Sequence, residues 1–208
     1  IKDLKHEQFS HKTIPMLFPV KEGVEGFKTA FSNMLEAAEK AVDEQKNFII
    51  LSDRNISEKY APIPSLLAVA AVHHHLIQNK KRMQIGILVE TGEPREVTHF
   101  ALLLAYGASA INPYLAFAAI DDLVKTGRIN MEYKEARHNY IKAIDKGLLK
   151  IFSKMGISTL RSYQGSQIFE VVGLSDELVN TYFTGTSTKI GGLGFEEICK
   201  EATLFHEK

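Results

Sequence analysis

FIIL at Phe48–Leu51, IGILV at Ile85–Val89 and ASAI at Ala108–Ile111 are three short apolar runs, and each is followed by a helical pattern. Continuously apolar strands that alternate with helices are typical of a parallel sheet that is buried on both faces. Right-handed crossovers join such strands in most proteins. The sequence therefore predicts an α/β fold, in which a parallel sheet is built from βα units and has helices on both faces.

Helical patterns on either side of these runs extend the prediction. Apolar residues recur at helical spacing from Val24 to the polar cluster Asp43–Asn47, which indicates an amphipathic helix. A longer helix is expected from about Glu132 to Phe152. Gly127 offers a turn between the two regions, and we place the boundary of two domains there.

Prolines mark the expected starts of three helices. Pro64 and Pro94 stand at first-turn positions of the helical patterns. Asn112 followed by Pro113 matches an N-cap with proline at the first helical residue.

Composition narrows the class of protein. The chain has 25 lysine and arginine residues against 25 aspartate and glutamate residues, so no global charge favours nucleic acid or an anionic membrane as partner. A single cysteine, Cys199, excludes a disulfide scaffold and favours a reducing compartment. No apolar run approaches the roughly 20 residues that cross a bilayer. We therefore expect a cytoplasmic protein that acts on small metabolites.

Polar residues follow the three apolar runs. Because the carboxyl ends of parallel strands meet at one edge, we expect these residues to share a rim where ligands gather: Asp53, Arg54, Glu90 and Asn112. The alternative is that they serve locally in turns and caps. In that interpretation Glu93 and Glu96 offset the positive end of the following helix, and Asn112 caps its own helix.

Two histidine patterns suggest a metal, and we expect none. The consecutive residues His73, His74 and His75 point about 100° apart on a helix and cannot converge on one ion. Glu96 and His99 have the spacing found in di-iron bundles, but that chemistry needs a second pair and further carboxylates.

The long helix carries a stripe of lysines at every fourth position: Lys142, Lys146, Lys150 and Lys154. A solvated face is the usual meaning of such a stripe. Its last member also lies next to Gly156, where a cation can approach a phosphate or carboxylate. A Schiff-base role for Lys154 would need desolvation, for which the sequence offers no evidence.

The run GLLKIFSKMGISTLRSYQGSQ at 147–167 combines cationic, glycine and amide groups. If a ring cofactor such as a flavin bound here, amide or hydroxyl partners would come from Ser158, Thr159, Gln164 and Gln167. Positive charge near such a ring comes from Lys150, Lys154 and Arg161. A dicarboxylate such as 2-oxoglutarate asks for similar cations, so the run suits either ligand.

Several segments, in the same order, resemble the large subunit of glutamate synthase. They are LSDR (51–54), APIPSLLAVAAVHHHL (61–76), VETGEPREVTHFALLLAYGASAINPYLA (89–116), NYIKAIDKGLLKIFSKMGIST (139–159), IFEVVGL (168–174) and YFTGTSTKIGGLGFEEI (182–198). The resemblance implies that residues 1–127 belong to the family's central domain, with residues 1–46 poorly specified. It implies that residues 128–208 begin the FMN-binding domain, and that the fold is related to an incomplete (β/α)8 barrel.

What the resemblance implies about chemistry is an enzyme that hydrolyses glutamine, channels the ammonia, and makes L-glutamate from 2-oxoglutarate at reduced FMN. The family's iron–sulfur cluster would lie outside this chain. Of the family's site, the matching positions are Met155, Gly156 and Ser158 near the flavin, and Gly165 and Gln167 near the substrate. No catalytic residue is assigned.

Three residues depart from the family pattern. Gln164 stands where arginine is frequent, Ser166 stands where alanine is usual, and Thr98 stands where a second histidine often precedes the next one. The first two departures place a different set of hydrogen-bonding groups beside the substrate positions.

We expect the chain to be an inactive segment that links the glutaminase and flavin sites, holds no FMN by itself, and has the remaining domains as partners. The alternative is a non-catalytic packing module that lines the ammonia tunnel. A third possibility is a phosphate-binding barrel enzyme such as an aldolase, with Lys154 as the residue that forms the imine.

Overall fold

The computed structural model describes residues 9–207, so residues 1–8 and Lys208, the outermost parts of the two predicted domains, lie outside the described residues. The strands are β1 (His11–Pro15), β2 (Leu17–Pro19), β3 (Phe48–Ser52), β4 (Tyr60–Pro62), β5 (Gly86–Glu90), β6 (Ala110–Asn112), β7 (Glu170–Leu174) and β8 (Ser187–Leu193). The helices are α1 (Gly23–Asp43), α2 (Ser65–Gln78), α3 (Val97–Ala105), α4 (Tyr114–Lys125), α5 (Tyr133–Met155), α6 (Leu160–Tyr163), α7 (Asp176–Tyr182) and α8 (Phe195–His206).

The main sheet has four parallel strands in the order β1-β3-β5-β6. Helix α1 lies between β1 and β3 in the chain, α2 between β3 and β5, and α3 between β5 and β6. Parallel neighbours require such crossovers. Because the strand order follows the chain without reversal, the sheet has the arrangement of an incomplete (β/α)8 barrel. The predicted α/β class with a parallel sheet is confirmed.

The edge strand β1 was not predicted from the sequence. Its residues Lys12 and Thr13 are exposed and only Ile14 is buried, so it lacks the continuous apolar run of a central strand. It nevertheless pairs along its whole length with β3. Within residues 9–207 β1 is an edge strand of the sheet, and edge strands commonly carry charged side chains.

The predicted amphipathic helix is α1, and it buries its apolar stripe in the main core. Phe27 is fully buried and meets Phe18 and Phe195 edge to face, each with ring centroids 4.9 Å apart. Burying a side chain of this size stabilises the fold by about 2–3 kcal/mol. Helix α1 thereby joins β2 and α8 to the sheet.

The C-terminal elements pack on the same core. Leu178 and Val179 of α7 and Cys199 of α8 belong to the hydrophobic cluster that contains α1 and α2. A smaller cluster joins α3 to α5 and α6 around Tyr163, which is fully buried. The predicted turn at Gly127 is present, with φ of 71°. The division into two domains at this turn stays a prediction.

The proline expectations need correction. Pro64 and Pro113 directly precede α2 and α4 instead of starting them, and Pro94 lies three residues before α3 begins at Val97. Asn112 does not cap α4, because it is the last residue of β6 and its amide donates to Glu90 Oε1 at 3.5 Å. None of the helices within residues 9–207 is long and apolar enough to cross a membrane.

Candidate functional site

The carboxyl ends of β3, β5 and β6 bring the predicted rim residues together. Ser52, Glu90 and Asn112 occupy equivalent positions in the strand register. The Glu90 carboxylate accepts hydrogen bonds from Ser52 Oγ at 2.7 Å and from Arg54 Nε at 3.2 Å. The expected juxtaposition of Arg54, Glu90 and Asn112 is confirmed, and Ser52 joins it.

Asp53 is the most buried acid of this rim, with 2% of its surface exposed. Its Oδ2 accepts hydrogen bonds from Thr91 Oγ1 at 2.5 Å and from the Gly92 N–H at 3.1 Å. Its Oδ1 is buried without a hydrogen-bond partner among residues 9–207. Burial, with the Asp53 carboxylate beside it, raises the pKa of Tyr114, so this phenol stays protonated.

Arg54 supplies the positive charge of the rim. Its guanidinium is paired with Glu90 and lies 4.0 Å from the centroid of the Tyr114 ring, a cation–π contact. About half of the Arg54 side chain is exposed, whereas Glu90 is nearly buried. The rim therefore contains carboxylates, hydroxyls and a guanidinium that bond largely to one another.

Glu93 serves a different helix from the one expected. Its Oε2 accepts a hydrogen bond from the Ser65 N–H at 3.0 Å and another from the Ser65 hydroxyl, so it satisfies the N-terminus of α2 instead of α3. Burial raises the pKa of the Glu93 carboxyl. The expectation that Glu93 offsets the following helix stays a prediction, and the hydrogen bonds of its carboxylate go to the start of α2.

The spacing of Glu96 and His99 has a local explanation. Nδ1 of His99 accepts hydrogen bonds from the backbone N–H groups of Arg95 and Glu96, each at 3.2 Å, at the start of α3. These donors are among those that a helix N-terminus leaves unsatisfied. The pair therefore stabilises the first turn of the helix.

The three consecutive histidines diverge as expected. Nδ1 of His73 accepts a hydrogen bond from Arg82 Nε at 2.8 Å, whereas His75 Nε2 meets Glu39 Oε2 at 3.1 Å on another side of the helix. Within residues 9–207, no group of three or more histidine, cysteine, aspartate or glutamate side chains is arranged to hold a metal ion.

The predicted flavin positions lie at the end of α5. Met155 is its last residue and is 49% exposed. Gly156 ends the helix in the left-handed conformation, with φ of 69°, and Ser158 is exposed in the following loop. The usual reason for glycine at such a position is helix termination.

The predicted substrate positions lie elsewhere. Gly165 and Gln167 line a cavity of about 300 Å³ between α2 and the loop Thr184–Thr186. Gln167 has a left-handed backbone, with φ of 55°, which is uncommon for a residue with a side chain. A Cβ on Gly185 would come within 2.2 Å of Gln167 Nε2, so the amide lies against a glycine.

The lining of this cavity is mostly apolar and uncharged. Burial lowers the pKa of His73 to about 3 and also lowers the pKa of His74, so both imidazoles are neutral at pH 7. Tyr106 and Thr186 share a hydrogen bond of 2.8 Å. The lining residues include no lysine or arginine, and they do not include Met155, Gly156 or Ser158. The roles assigned to the five matching positions stay predictions.

Sequence reasoning did not find Tyr106, Thr186 or Arg82. Tyr106 and Thr186 are 80 residues apart in the chain, and no periodic pattern links them. Arg82 stands in a short turn after α2 without a motif around it. Only the packing of the two chain regions brings these groups to the cavity or behind it.

The lysine stripe of α5 is a solvated face, since Lys142, Lys146, Lys150 and Lys154 are all exposed. Exposure of Lys154 leaves it without the desolvation that an imine-forming lysine needs. The aldolase interpretation therefore gains no support.

Comparison with known proteins identifies the family. Residues 1–175 match the family model of the glutamate synthase central domain. The chain is 43% identical over 208 residues to the glutamate synthase (NADPH) large chain of Bacillus subtilis (strain 168), covering 100% of this chain and 13% of that protein. It is 39% identical over 211 residues to the glutamate synthase (NADH) of Saccharomyces cerevisiae (strain ATCC 204508 / S288c), covering 98% of this chain and 10% of that protein.

Solved structures support the fold. A double mutant of flavocytochrome b2 with sulfite bound matches with a TM-score of 0.51 at 16% identity, over 74% of this chain and 40% of that chain. A single mutant of the same protein with benzoylformate also gives 0.51, at 14% identity, over 74% and 39% of the two chains. The chain spans only about an eighth of the length of its bacterial relative. The match to the family model and the identity to these relatives show that the chain belongs to the glutamate synthase family.

Proposed function

We propose that this chain acts as the central domain, with the opening of the flavin domain, of a glutamate synthase. The enzyme that contains it would make L-glutamate from glutamine-derived ammonia and 2-oxoglutarate with reduced FMN. The observation that carries the proposal is 43% identity over the whole 208 residues to a glutamate synthase large chain. Its partners would be the glutaminase domain and the rest of the flavin domain.

Within this enzyme the chain would link the two sites. The incomplete barrel gives a rigid sheet on which α1, α2 and α3 pack. At the carboxyl-end rim, Arg54 bonds to Glu90, and Thr91 bonds to Asp53. Because these polar groups bond to one another, with Asp53 Oδ1 as the exception among residues 9–207, we take the rim to have a structural role in place of an active site of its own.

FMN does not fit the matching positions as one site within the described residues. Met155, Gly156 and Ser158 are exposed at the end of α5, away from the cavity that Gly165 and Gln167 line. A Cβ on Gly156 would meet nothing within 4 Å, so this glycine provides no close cradle for a phosphate or a ring. Chain beyond these residues would have to complete the flavin site, which supports inactivity of the segment alone.

The cavity at Gly165 and Gln167 supports a partial substrate site. Gln167 offers an amide, but 2-oxoglutarate carries two carboxylates, which arginine or lysine usually pairs. Because the lining contains neither cation, the remaining part of the enzyme would supply one.

The alternative, a non-catalytic packing module that lines the ammonia tunnel, is favoured by one observation. Val172 of β7 and Ile190 of β8 are directly paired and are 70% and 60% exposed. Two-stranded parallel sheets are rarely left uncovered, so this surface suits contact with another domain.

The test is an assay of the full-length enzyme that contains this segment. With glutamine, 2-oxoglutarate and an electron donor, we expect two glutamate molecules for each reducing pair consumed. The Gln167→Ala variant should raise the KM for 2-oxoglutarate and leave the KM for glutamine unchanged. Absence of glutamate formation by the intact enzyme would overturn the proposal, and a wild-type KM in the variant would favour the packing module.

A further inference from the structure

The turn between α3 and β6, residues 105–108, is held by hydrogen bonds on two sides. Three of its carbonyl oxygens accept hydrogen bonds from groups distant in the chain. Arg82 Nη2 donates to Gly107 O at 2.8 Å. Gly165 N–H donates to Ala105 O at 2.8 Å, and Gln164 Nε2 donates to Ala108 O at 2.7 Å.

On the side of the main sheet, Arg82 fixes this turn. Its Nη1 also donates to Ile85 O at 2.9 Å, next to β5, and its Nε donates to His73 Nδ1 at 2.8 Å on α2. His73 is thereby held in the tautomer that keeps its proton on Nε2. One guanidinium therefore ties the turn to both α2 and the start of β5.

The close approach on this side requires glycine. A Cβ on Gly107 would lie 2.3 Å from Nδ1 of His73, and Gly107 has φ of 119°. Residues with a side chain rarely adopt that backbone conformation. The turn is therefore held against α2 by close packing as well as by hydrogen bonds.

On the other side, the turn carries the loop with the predicted substrate residues. Gln164 and Gly165 follow Tyr163, which is fully buried and packs against Phe152 with ring centroids 4.3 Å apart. Two residues later, Gln167 enters the cavity in its left-handed conformation. A shift of the turn would therefore be passed to Gln167 through a very short stretch of chain.

We propose that Gln164 is a positioning residue, which acts with Arg82 through the turn 105–108 to set the place of Gln167 in the 2-oxoglutarate site. This inference rests on the proposed function. It assigns a role to Gln164, which stands where the family frequently has arginine. In this role the turn transmits the position of the main sheet to the loop that contains Gln167.

The test uses the full-length enzyme with the Gln164→Leu variant, which removes the donor and keeps an uncharged side chain that is one atom shorter than glutamine. Losing one such hydrogen bond should raise the KM for 2-oxoglutarate about threefold to tenfold, or about 0.7–1.4 kcal/mol at 1.4 kcal/mol per tenfold. The KM for glutamine should stay unchanged. Gln164→Arg, which restores a donor, should return the KM for 2-oxoglutarate to within about twofold of wild type.

Gln78→Leu is the matched control, because Gln78 is exposed at the end of α2. It should leave both KM values unchanged. Hydrogen exchange gives a second readout, since the Gly165 amide should exchange faster in Gln164→Leu than in wild type. If Gln164→Leu folds poorly, Gln164→Asn takes its place in the test. The asparagine amide is one methylene short of Ala108 O, so this variant should also raise the KM for 2-oxoglutarate.

The two variants distinguish the positioning role of Gln164 from the substrate role of Gln167. If Gln167→Ala raises the KM for 2-oxoglutarate but Gln164→Leu does not, the positioning role is overturned and the proposed function stands. If neither variant changes this KM, the substrate assignment of the loop fails together with the positioning role. If Gln164→Arg behaves like Gln164→Leu, the lost donor is not the cause, and the positioning role is also overturned.

Discussion

Replacing Gly107 by alanine tests the packing of the turn 105–108 most sharply. The added Cβ would lie 2.3 Å from Nδ1 of His73 and 3.0 Å from its Cβ, so the imidazole has to move. Moving it breaks the hydrogen bond from Arg82 Nε, and the Gly107 carbonyl that accepts from Nη2 shifts as well. The variant therefore combines backbone strain with the loss of contacts to a charged group.

The expected cost follows from these two parts. A side chain held at positive φ costs about 1–2 kcal/mol. Hydrogen bonds to charged groups contribute about 1.5–3 kcal/mol each, and at least one is lost. We expect Gly107→Ala to lower the free energy of unfolding by about 3–5 kcal/mol, and the melting temperature by about 6–20 °C for a chain of this size.

Urea unfolding of the 208-residue protein measures this cost. Gly127→Ala is the matched control, because Gly127 also has positive φ, at 71°, but a Cβ there meets nothing within 4 Å. Its cost should stay near 1 kcal/mol, the strain alone. The double variant Gly107→Ala with His73→Ala should lose less stability than the sum of the losses in the two single variants, because removing the imidazole relieves the clash. Equal losses for Gly107→Ala and Gly127→Ala would refute the reasoning.

Three further predictions concern the core, pH and the rim. Phe27→Ala should cost about 3–5 kcal/mol in thermal or urea unfolding because Phe27 is fully buried, whereas Phe205→Ala, at 78% exposure, should stay within about 0.5 kcal/mol of wild type. The folded-state pKa of His73 is about 3. The pKa of His73 in the unfolded chain is near 6.5, so below that pH the unfolded chain binds more protons than the folded one. His73 therefore lowers the free energy of unfolding by up to about 1.4 kcal/mol per pH unit as the pH falls from 6.5 to 3. Unfolding free energies measured across this range should fall less steeply in His73→Gln, and an identical slope would contradict the buried neutral imidazole. Arg54→Met should cost about 1–2 kcal/mol because it removes an ion pair with the nearly buried Glu90 carboxylate, and Glu90→Gln in the same chain should recover part of that loss in a double-mutant cycle.

The sequence predicts those parts of the fold in which the pattern of apolar side chains matches the pattern of burial. Ile49, Ile50 and Leu51 are buried on both faces of β3, so the strand reads as a continuous apolar run. Helix α1 has one buried stripe and therefore a clear helical period. Strand β1 escaped prediction because an edge strand with exposed Lys12 and Thr13 has no such run.

The candidate sites show a similar limit. The rim could be predicted because parallel strands end at the same edge, which brings Arg54 to Glu90. The partner of each group could not, because Glu93 bonds to Ser65, 28 residues earlier, and Gln164 bonds to Ala108, 56 residues earlier. Such hydrogen bonds depend on how the helices pack against the sheet. Neither the spacing of residues along the chain nor the period of the apolar pattern predicts that packing.

We propose that this chain is a structural segment of a glutamate synthase and that residues 9–207 form no complete flavin site by themselves. Titrating the purified 208-residue protein with FMN, while following flavin fluorescence, tests it directly. We expect no saturable quenching up to about 100 µM FMN, since three of the matching positions lie exposed and apart from the other two. Stoichiometric binding with a dissociation constant near or below about 1 µM would contradict it.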